Sequence, residues 1–225
     1  MDIKHYYVQK GTGDYLILLH GNGENGDYFV HQIEEFSKEY TVIAMDTRGH
    51  GKTPRGTEPF TISQFADDLK RFMDGMGMKQ ANILGFSDGA NIAMVFAMRY
   101  PHMVDKLILN GGNLNGRGVK ARVQIPIVVG YKIAGMFAKK SKEARKNAEM
   151  LGLMVNDPDI KSDELKKIKA KTLVIAGNRD MIKDSHTKMI AKSISWSALK
   201  IIKGDHFVAN KNYAEFNKAV KEFLR

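Results

Sequence analysis

The stretch Ala81-Asn82-Ile83-Leu84-Gly85-Phe86-Ser87-Asp88-Gly89-Ala90-Asn91-Ile92-Ala93-Met94-Val95 decides the fold of this chain. A continuous apolar run, Ala81 to Gly85, leads straight to a serine set between glycines. After it comes a segment, Asp88 to Tyr100, that is apolar on nearly every side and stops before Pro101. The first part reads as a strand covered on both faces, the last as a buried helix. Their junction, Gly85-Phe86-Ser87-Asp88-Gly89, fits G-x-S-x-G in the setting that pattern requires, directly after a strand and directly before a helix. So tight a turn forces Ser87 into strained backbone, and glycines two residues either side let strand and helix approach without a clash. Stripped of those surroundings, Ser87 would be an ordinary helix N-cap. In context it reads as a nucleophile.

Working outward, further apolar runs occur at Tyr15–Leu19, Tyr40–Met45, Lys106–Leu109, Thr172–Ala176 and Leu199–Ile202. Runs apolar on successive residues belong to a parallel sheet with helices on both faces. Between them, Thr61 to Met76 carries Ile62, Phe65, Leu69, Phe72 and Met73 at three- and four-residue spacing, and Tyr213 to Leu224 carries Phe216, Val220 and Phe223 on one stripe. The alternation, with right-handed crossovers, predicts an α/β fold: a doubly wound, mostly parallel sheet in a single domain over 1–225. From about Gly111 to Ala170 the rhythm breaks. No convincing strand appears, while two amphipathic patterns do, Pro126 through Ile133 and Phe137, then Lys142 to Leu153. Pro126 suits a first helical turn. A short helical cap over 111–170, inserted between sheet strands, is therefore expected. Its apolar face, with Met136 and Phe137, is expected to close over the carboxyl edge above Ser87 as an acyl pocket.

Composition narrows the function classes. Hydrophobic residues make up 43% and charged residues 27%, the proportions of an ordinary globular protein. Cysteine is absent, so disulfides, thiolate metal sites and cysteine nucleophiles are excluded. The polar opening Met1-Asp2-Ile3-Lys4-His5-Tyr6 lacks the apolar core of a signal peptide, and no apolar run approaches the roughly 20 residues of a membrane span. A cytoplasmic protein without a membrane partner is expected. The net charge is +10, and Arg117 to Lys169 alone holds thirteen Lys/Arg against six Asp/Glu, a net +7. With no helix-turn-helix, zinc knuckle or aromatic-basic sheet signature, no nucleic-acid partner is expected. The basic stretch reads as a solvated helical surface.

A serine hydroxyl needs a base, and the base needs a group to fix its tautomer. His206 leaves the strand Leu199–Ile202 through Lys203-Gly204-Asp205, at the same sheet edge as Ser87. His50, in a glycine-rich loop, is the second choice. Asp180 follows the strand Thr172–Ala176 through Gly177-Asn178-Arg179 and is the favoured acid. Of its competitors, Asp184 reads as a cap of the next helix and Asp205 should point away. The end of strand Lys106–Leu109, another place for an acid, holds Asn110. The order Ser, Asp, His is that of α/β-hydrolases. Oxyanion donors would be the backbone N–H of Asp88, at a helix N-terminus, and that of Asn22 (or Gly23 beside it) in His20-Gly21-Asn22-Gly23.

These features resemble the α/β-hydrolase superfamily nearly end to end, including Asp46-Thr47-Arg48-Gly49-His50-Gly51-Lys52-Thr53, Gly177-Asn178-Arg179-Asp180 and Gly204-Asp205-His206. The resemblance implies a sheet in which one or two of the usual eight strands are missing or reduced. Serine at the elbow argues against dehalogenase or epoxide-hydrolase chemistry, where relatives use Asp. The Ser-Asp pair is similar to that of valacyclovir-hydrolase-like and aromatic C–C hydrolase relatives, which implies that Asp88 could attract an α-ammonium group on a substrate. The plainer reading is that Asp88 complements the helix dipole.

The expectation is thus a serine hydrolase that cleaves a small carboxylic ester, thioester or amide through an acyl-Ser87 intermediate, without metal or cofactor. The alternative is a ligand-binding protein on a hydrolase scaffold. Substrate and oligomeric state are not legible.

Overall fold

The computed structural model describes residues 2–225. Its sheet contains β1 (Tyr7–Lys10), β2 (Tyr15–Leu19), β3 (Thr41–Met45), β4 (Ala81–Phe86), β5 (Val104–Asn110), β6 (Lys171–Gly177) and β7 (Ser197–Ile202). The spatial order is β1-β3-β2-β4-β5-β6-β7. Neighbours are parallel except β1, which runs antiparallel to β3. Seven strands fit the expected reduction from eight. β1 lies outside the sequence expectation, because its half-exposed Tyr-Val-Gln-Lys sequence carries no apolar run.

Strand periodicity distributes the core. In β2, Leu16 and Leu18 join Phe29, Phe36, Phe216 and Val220 on one face. There the sheet is covered by α1 (Val30–Phe36) and α8 (Tyr213–Leu224). Ile17 and Leu19 point the other way, into Phe65, Leu69, Ala93 and Phe96. That face is covered by α2 (Ile62–Gly75), α3 (Asp88–Arg99) and α6 (Asp184–Ser193). Each such aliphatic side chain stabilises by about 1.5–3 kcal/mol when fully buried. Ten of the twelve α3 residues are buried, which is why its sequence shows no polar face. Thr61 caps α2 by accepting from the Gln64 N–H at 3.1 Å. A short α7 (Val208–Lys211) precedes α8.

Between β5 and β6 the chain forms α4 (Ala121–Phe137) and α5 (Lys142–Asn156), which pack on one another. α5 is fastened to the body of the protein. Leu153 is buried in the core, and Glu149 takes a forked contact from Arg55 at 2.7 and 3.0 Å. α4 contains no buried residue. It also starts five residues before Pro126, which therefore sits inside the helix rather than in its first turn. Proline cannot donate to the Arg122 carbonyl, but both residues are exposed and water can satisfy that oxygen.

One polar element is as buried as the core. Arg48 is fully enclosed and holds Asp68 through Nε and Nη2 at 2.7 and 2.8 Å. It also holds Asp2 at 2.8 and 2.9 Å. This links the chain start, the loop after β3, and α2. Those partners keep the guanidinium charged despite its burial.

Candidate active site

The site is built where β4 turns into α3. Ser87 has φ 53° and ψ −118°, a left-handed conformation that a non-glycine residue adopts only when its surroundings impose it. The imposition is visible in the two glycines. A Cβ on Gly89 would lie 1.9 Å from the Leu19 carbonyl oxygen, and one on Gly85 would lie 2.3 Å from that of Gly89. Strand and helix are thus backbone against backbone, and the Ser87 N–H is held by the Asn110 carbonyl at 2.8 Å.

His206 and Asp180 arrive at the same edge from β7 and β6. His206 Nδ1 lies 2.7 Å from Asp180 Oδ1, and its Nε2 lies 3.0 Å from Ser87 Oγ. An ionised carboxylate only accepts, so Nδ1 carries the proton and Nε2 is free to accept from the serine hydroxyl. Asp180 is itself oriented by the Ile182 N–H, which donates to Oδ1 at 2.9 Å. The histidine ring packs on Phe86 and Phe207, with centroids 4.9 and 5.6 Å away. Gly111, in left-handed conformation just beyond β5, makes room for it, since a Cβ there would lie 2.7 Å from His206 Cε1. The competing residues stand apart. Asp205 accepts from the Phe207 N–H and pairs with Lys211. Asp184 opens α6, although without a side-chain cap. His50 is buried against Phe60 and Phe65 and bonds to the Arg48 carbonyl. Asn110 is buried and donates to the Ile175 carbonyl.

The His20–Glu24 loop forms the opposite wall. Thr47 N–H donates to His20 Nε2 at 3.0 Å, so the ring proton is on Nδ1 and goes to the Gly21 carbonyl at 2.7 Å. Burial, reinforced by His50 nearby, brings the His20 pKa down to about 4, and the ring stays neutral. Neither the Asn22 nor the Asp88 amide is engaged in the backbone hydrogen bonds of the turns among the described residues. The Asn22 side chain acts elsewhere. Its Nδ2 donates to the Met150 carbonyl at 2.7 Å and ties the loop to α5.

Two carboxyls beside this framework are electrostatically unusual. Asp88 is buried. Its Oδ1 accepts from Asn91, and its Oδ2 has no protein partner. Burial raises its pKa to about 6, with Asp157 adding to the rise and Asn91 and His206 opposing it. Glu24 accepts from the Gly21 N–H at 3.3 Å, yet burial outweighs that bond and brings its pKa to about 7. Glu24 and Gly111 carry no signal in the sequence. Each follows a recognisable element by a residue or two and has no pattern of its own.

The expected enclosed acyl pocket around Met136 and Phe137 is not formed. Both stay exposed, at 69% and 54%, because α4 turns its inner side to α5 instead of closing on the sheet. A cleft of about 510 Å³ opens between the Gly49–Phe60 loop and α5, but Ser87 does not line it.

Comparison with known proteins places the fold in a family. Residues 14–132 match the family model described as alpha/beta hydrolase fold. The chain belongs to the α/β-hydrolase fold family. Human "Serine hydrolase BPHL" is 25% identical over 249 residues, spanning 99% of this chain and 84% of that protein. Mouse "Epoxide hydrolase 4" is 33% identical over 111 residues, which are 48% of this chain and 31% of that one. The crystal structure of the enol-lactonase from Burkholderia xenovorans superposes with a TM-score of 0.83 at 20% identity, covering 99% and 96% of the two chains. This last likeness concerns the fold alone. The human and mouse relatives both carry hydrolase names.

Proposed function

We propose that this protein is a serine hydrolase acting on a small carboxylic ester, thioester or amide through an acyl-Ser87 intermediate. The carrying observation is the unbroken chain Asp180–His206–Ser87, at 2.7 and 3.0 Å, ending on a serine in strained elbow geometry. Ser87 Oγ attacks the carbonyl carbon as its proton passes to His206 Nε2. Asp180 stabilises the imidazolium so formed. The oxyanion accepts from the Asn22 and Asp88 amides, each donor contributing about 2.7–4 kcal/mol in the transition state. The imidazolium then protonates the departing group. Water, activated by the same Nε2, releases the acid and restores Ser87.

Serine at the elbow favours this reading over epoxide opening, and so does the name of the human relative. A retained-ligand role without turnover would need none of the three groups in register. Within the reading, the unpartnered Asp88 Oδ2 favours substrates with a cationic group near the scissile bond, such as aminoacyl esters. Met136 and Phe137 receive no pocket role in it.

The test is labelling with a fluorophosphonate probe, followed by a p-nitrophenyl and aminoacyl ester panel. Ser87 should be modified in the wild type and Ser87→Ala should be inert. Unlabelled wild type, or Ser87→Ala retaining more than a few per cent of turnover, would end the proposal. Asp88→Asn should weaken aminoacyl esters selectively. Equal loss on every ester would remove the cation-binding part.

A further inference from the structure

The α4 helix presents an outward face that the hydrolytic chemistry does not use. Ile125, Val129, Ile133 and Met136 recur at three- and four-residue spacing and are exposed by 61%, 50%, 49% and 69%. Side chains so spaced share one side of a helix. The opposite side, with Gln124, Val128 and Tyr131, is half-buried and meets α5: Gln124 donates to the Met154 carbonyl and Tyr131 OH accepts from Asn156. Scattered exposed aliphatics are normal, but an aligned set is not. Among the described residues nothing folds over it.

Charge identifies what would. Residues 120–146 hold eight Lys/Arg and a single acid, Glu143, a net +7. Arg122, Lys132, Lys139 and Lys140 are all exposed and lie along or just beyond the same helix. A second copy of the chain would bring +7 against +7 on docking this face, which disfavours self-association. The face is also convex and offers aliphatic side chains without a hydrogen-bonding pattern, unlike a groove for a peptide. Aliphatic side chains rimmed by long cationic ones suit the boundary of an anionic bilayer, where the apolar groups enter and the amines remain at headgroup level.

We infer that α4 is a peripheral docking surface for anionic lipid, lying in the membrane interface without crossing it. Among the described residues no helix is long and apolar enough to span a bilayer. The expectation of no membrane partner rests on the lack of an apolar run long enough for a span, and a surface contact needs none. α4 begins beside the loop that carries Asp180, since the Lys120 N–H donates to the Met181 carbonyl at 2.9 Å. The inference is independent of the proposed reaction.

Vesicle co-sedimentation decides it, with phosphatidylcholine alone and with added phosphatidylglycerol. Wild type should sediment with the anionic vesicles, not with the neutral ones, and should weaken as salt screens the contact. The triple variant Ile125→Ser/Val129→Ser/Ile133→Ser should lose at least about tenfold in affinity. Lys132→Glu/Lys139→Glu/Lys140→Glu should do the same. Melting curves confirm that both variants are folded. Wild type that ignores anionic vesicles overturns the inference. So does an apolar triple variant that binds as well as wild type, which would leave only diffuse electrostatics. A wild-type dimer in sedimentation velocity that the apolar variant abolishes would also overturn it, by assigning the face to a second copy.

Discussion

The carboxyl edge of the sheet and helix α4 are connected by a few residues, yet they are held by opposite means. At the edge, Ser87, Asp180 and His206 are each fixed from more than one side. Ser87 is strained between two backbone segments, Asp180 Oδ1 takes two donors, and His206 rests on two aromatic rings. α4 has no buried residue and leans on α5, which alone of the pair reaches the core through Leu153. Burial and redundancy give the edge one geometry. α4 has an apolar surface whose partner lies outside the chain. The same polypeptide thus separates a pre-organised site from an adaptable face, and the two should respond to mutation very differently.

The largest effects should come from the edge and should be catalytic. His206→Ala should lower kcat on any responsive ester by on the order of a million-fold, and Asp180→Asn by roughly ten-thousand-fold. The double variant should be little worse than His206→Ala, since the residues act as one unit. Additive losses in a p-nitrophenyl ester assay would mean that Asp180 and His206 act separately. A wild-type-like Asp180→Asn beside an inactive Asp205→Asn would reassign the acid.

Next comes stability beneath the edge. Arg48→Leu takes the forked guanidinium from the buried Asp68 carboxylate and leaves it Gln64 at 3.0 Å and the more distant Arg71 at 3.8 Å, so the loss should fall toward the lower end of the about 3–5 kcal/mol that breaking a buried pair costs. Urea unfolding should show it as a lower midpoint at unchanged slope. A change below about 1 kcal/mol would show that Asp68 simply takes up a proton or finds water. The corresponding loss for an exposed pair such as Lys188–Asp184 on α6 should be near the bottom of the roughly 0–1 kcal/mol range.

A smaller effect follows from Glu24. Its carboxyl titrates from 4.5 in the unfolded chain to about 7 when folded. Between those values the folded protein binds more protons, so this group's contribution is fully present below about pH 4.5 and is lost as pH rises through 7. His20, lowered to about 4, works in the opposite direction over part of the same range. The informative quantity is therefore the difference between wild type and Glu24→Gln. Urea midpoints should show the variant gaining on wild type from about pH 5 to about pH 7.5. A pH-independent difference would mean that Glu24 ionises freely.

What the sequence reveals and conceals follows the same division. Apolar runs disclose β2 to β6 because a sheet covered on both faces tolerates little else there. β7 departs from that expectation: it is an edge strand with Leu199 and Ile201 exposed, so its apolar run marks a strand without marking burial. Ser87, Asp180 and His206 are readable because each stands just past such a run. β1 is hidden, since an edge strand half in water needs no apolar signature. So is Glu24, whose raised pKa arises from burial in the folded protein and has no pattern around it in the sequence. α4 misleads for a physical reason. Ile133, Met136 and Phe137 show that a helix has an apolar side, but not whether a neighbour covers it. The start of α4 is displaced from its expected position as well, because Pro126 is tolerated where the carbonyl it abandons faces water.

The smallest effects are expected on α4, and they sharpen the contrast most directly. Met136→Ala and Phe137→Ala remove large side chains that are more than half exposed, so little buried area is lost and no cavity is left. Surface changes of this kind stay within about 0.5 kcal/mol. Leu153→Ala on α5 removes a side chain that is 1% exposed in the core cluster, and buried Leu→Ala changes cost about 2–5 kcal/mol. Thermal or urea unfolding of these three variants compares two adjacent helices of nearly equal length under one assay. A loss above about 1 kcal/mol for Met136→Ala or Phe137→Ala would mean that α4 closes on the sheet in solution and that its apolar side is covered after all. Ester selectivity would then change in the same variants, because the side chains would line the entrance to Ser87. With α4 open, stability and chain-length preference should both stay at wild-type values, and the lipid contact alone should register the apolar face.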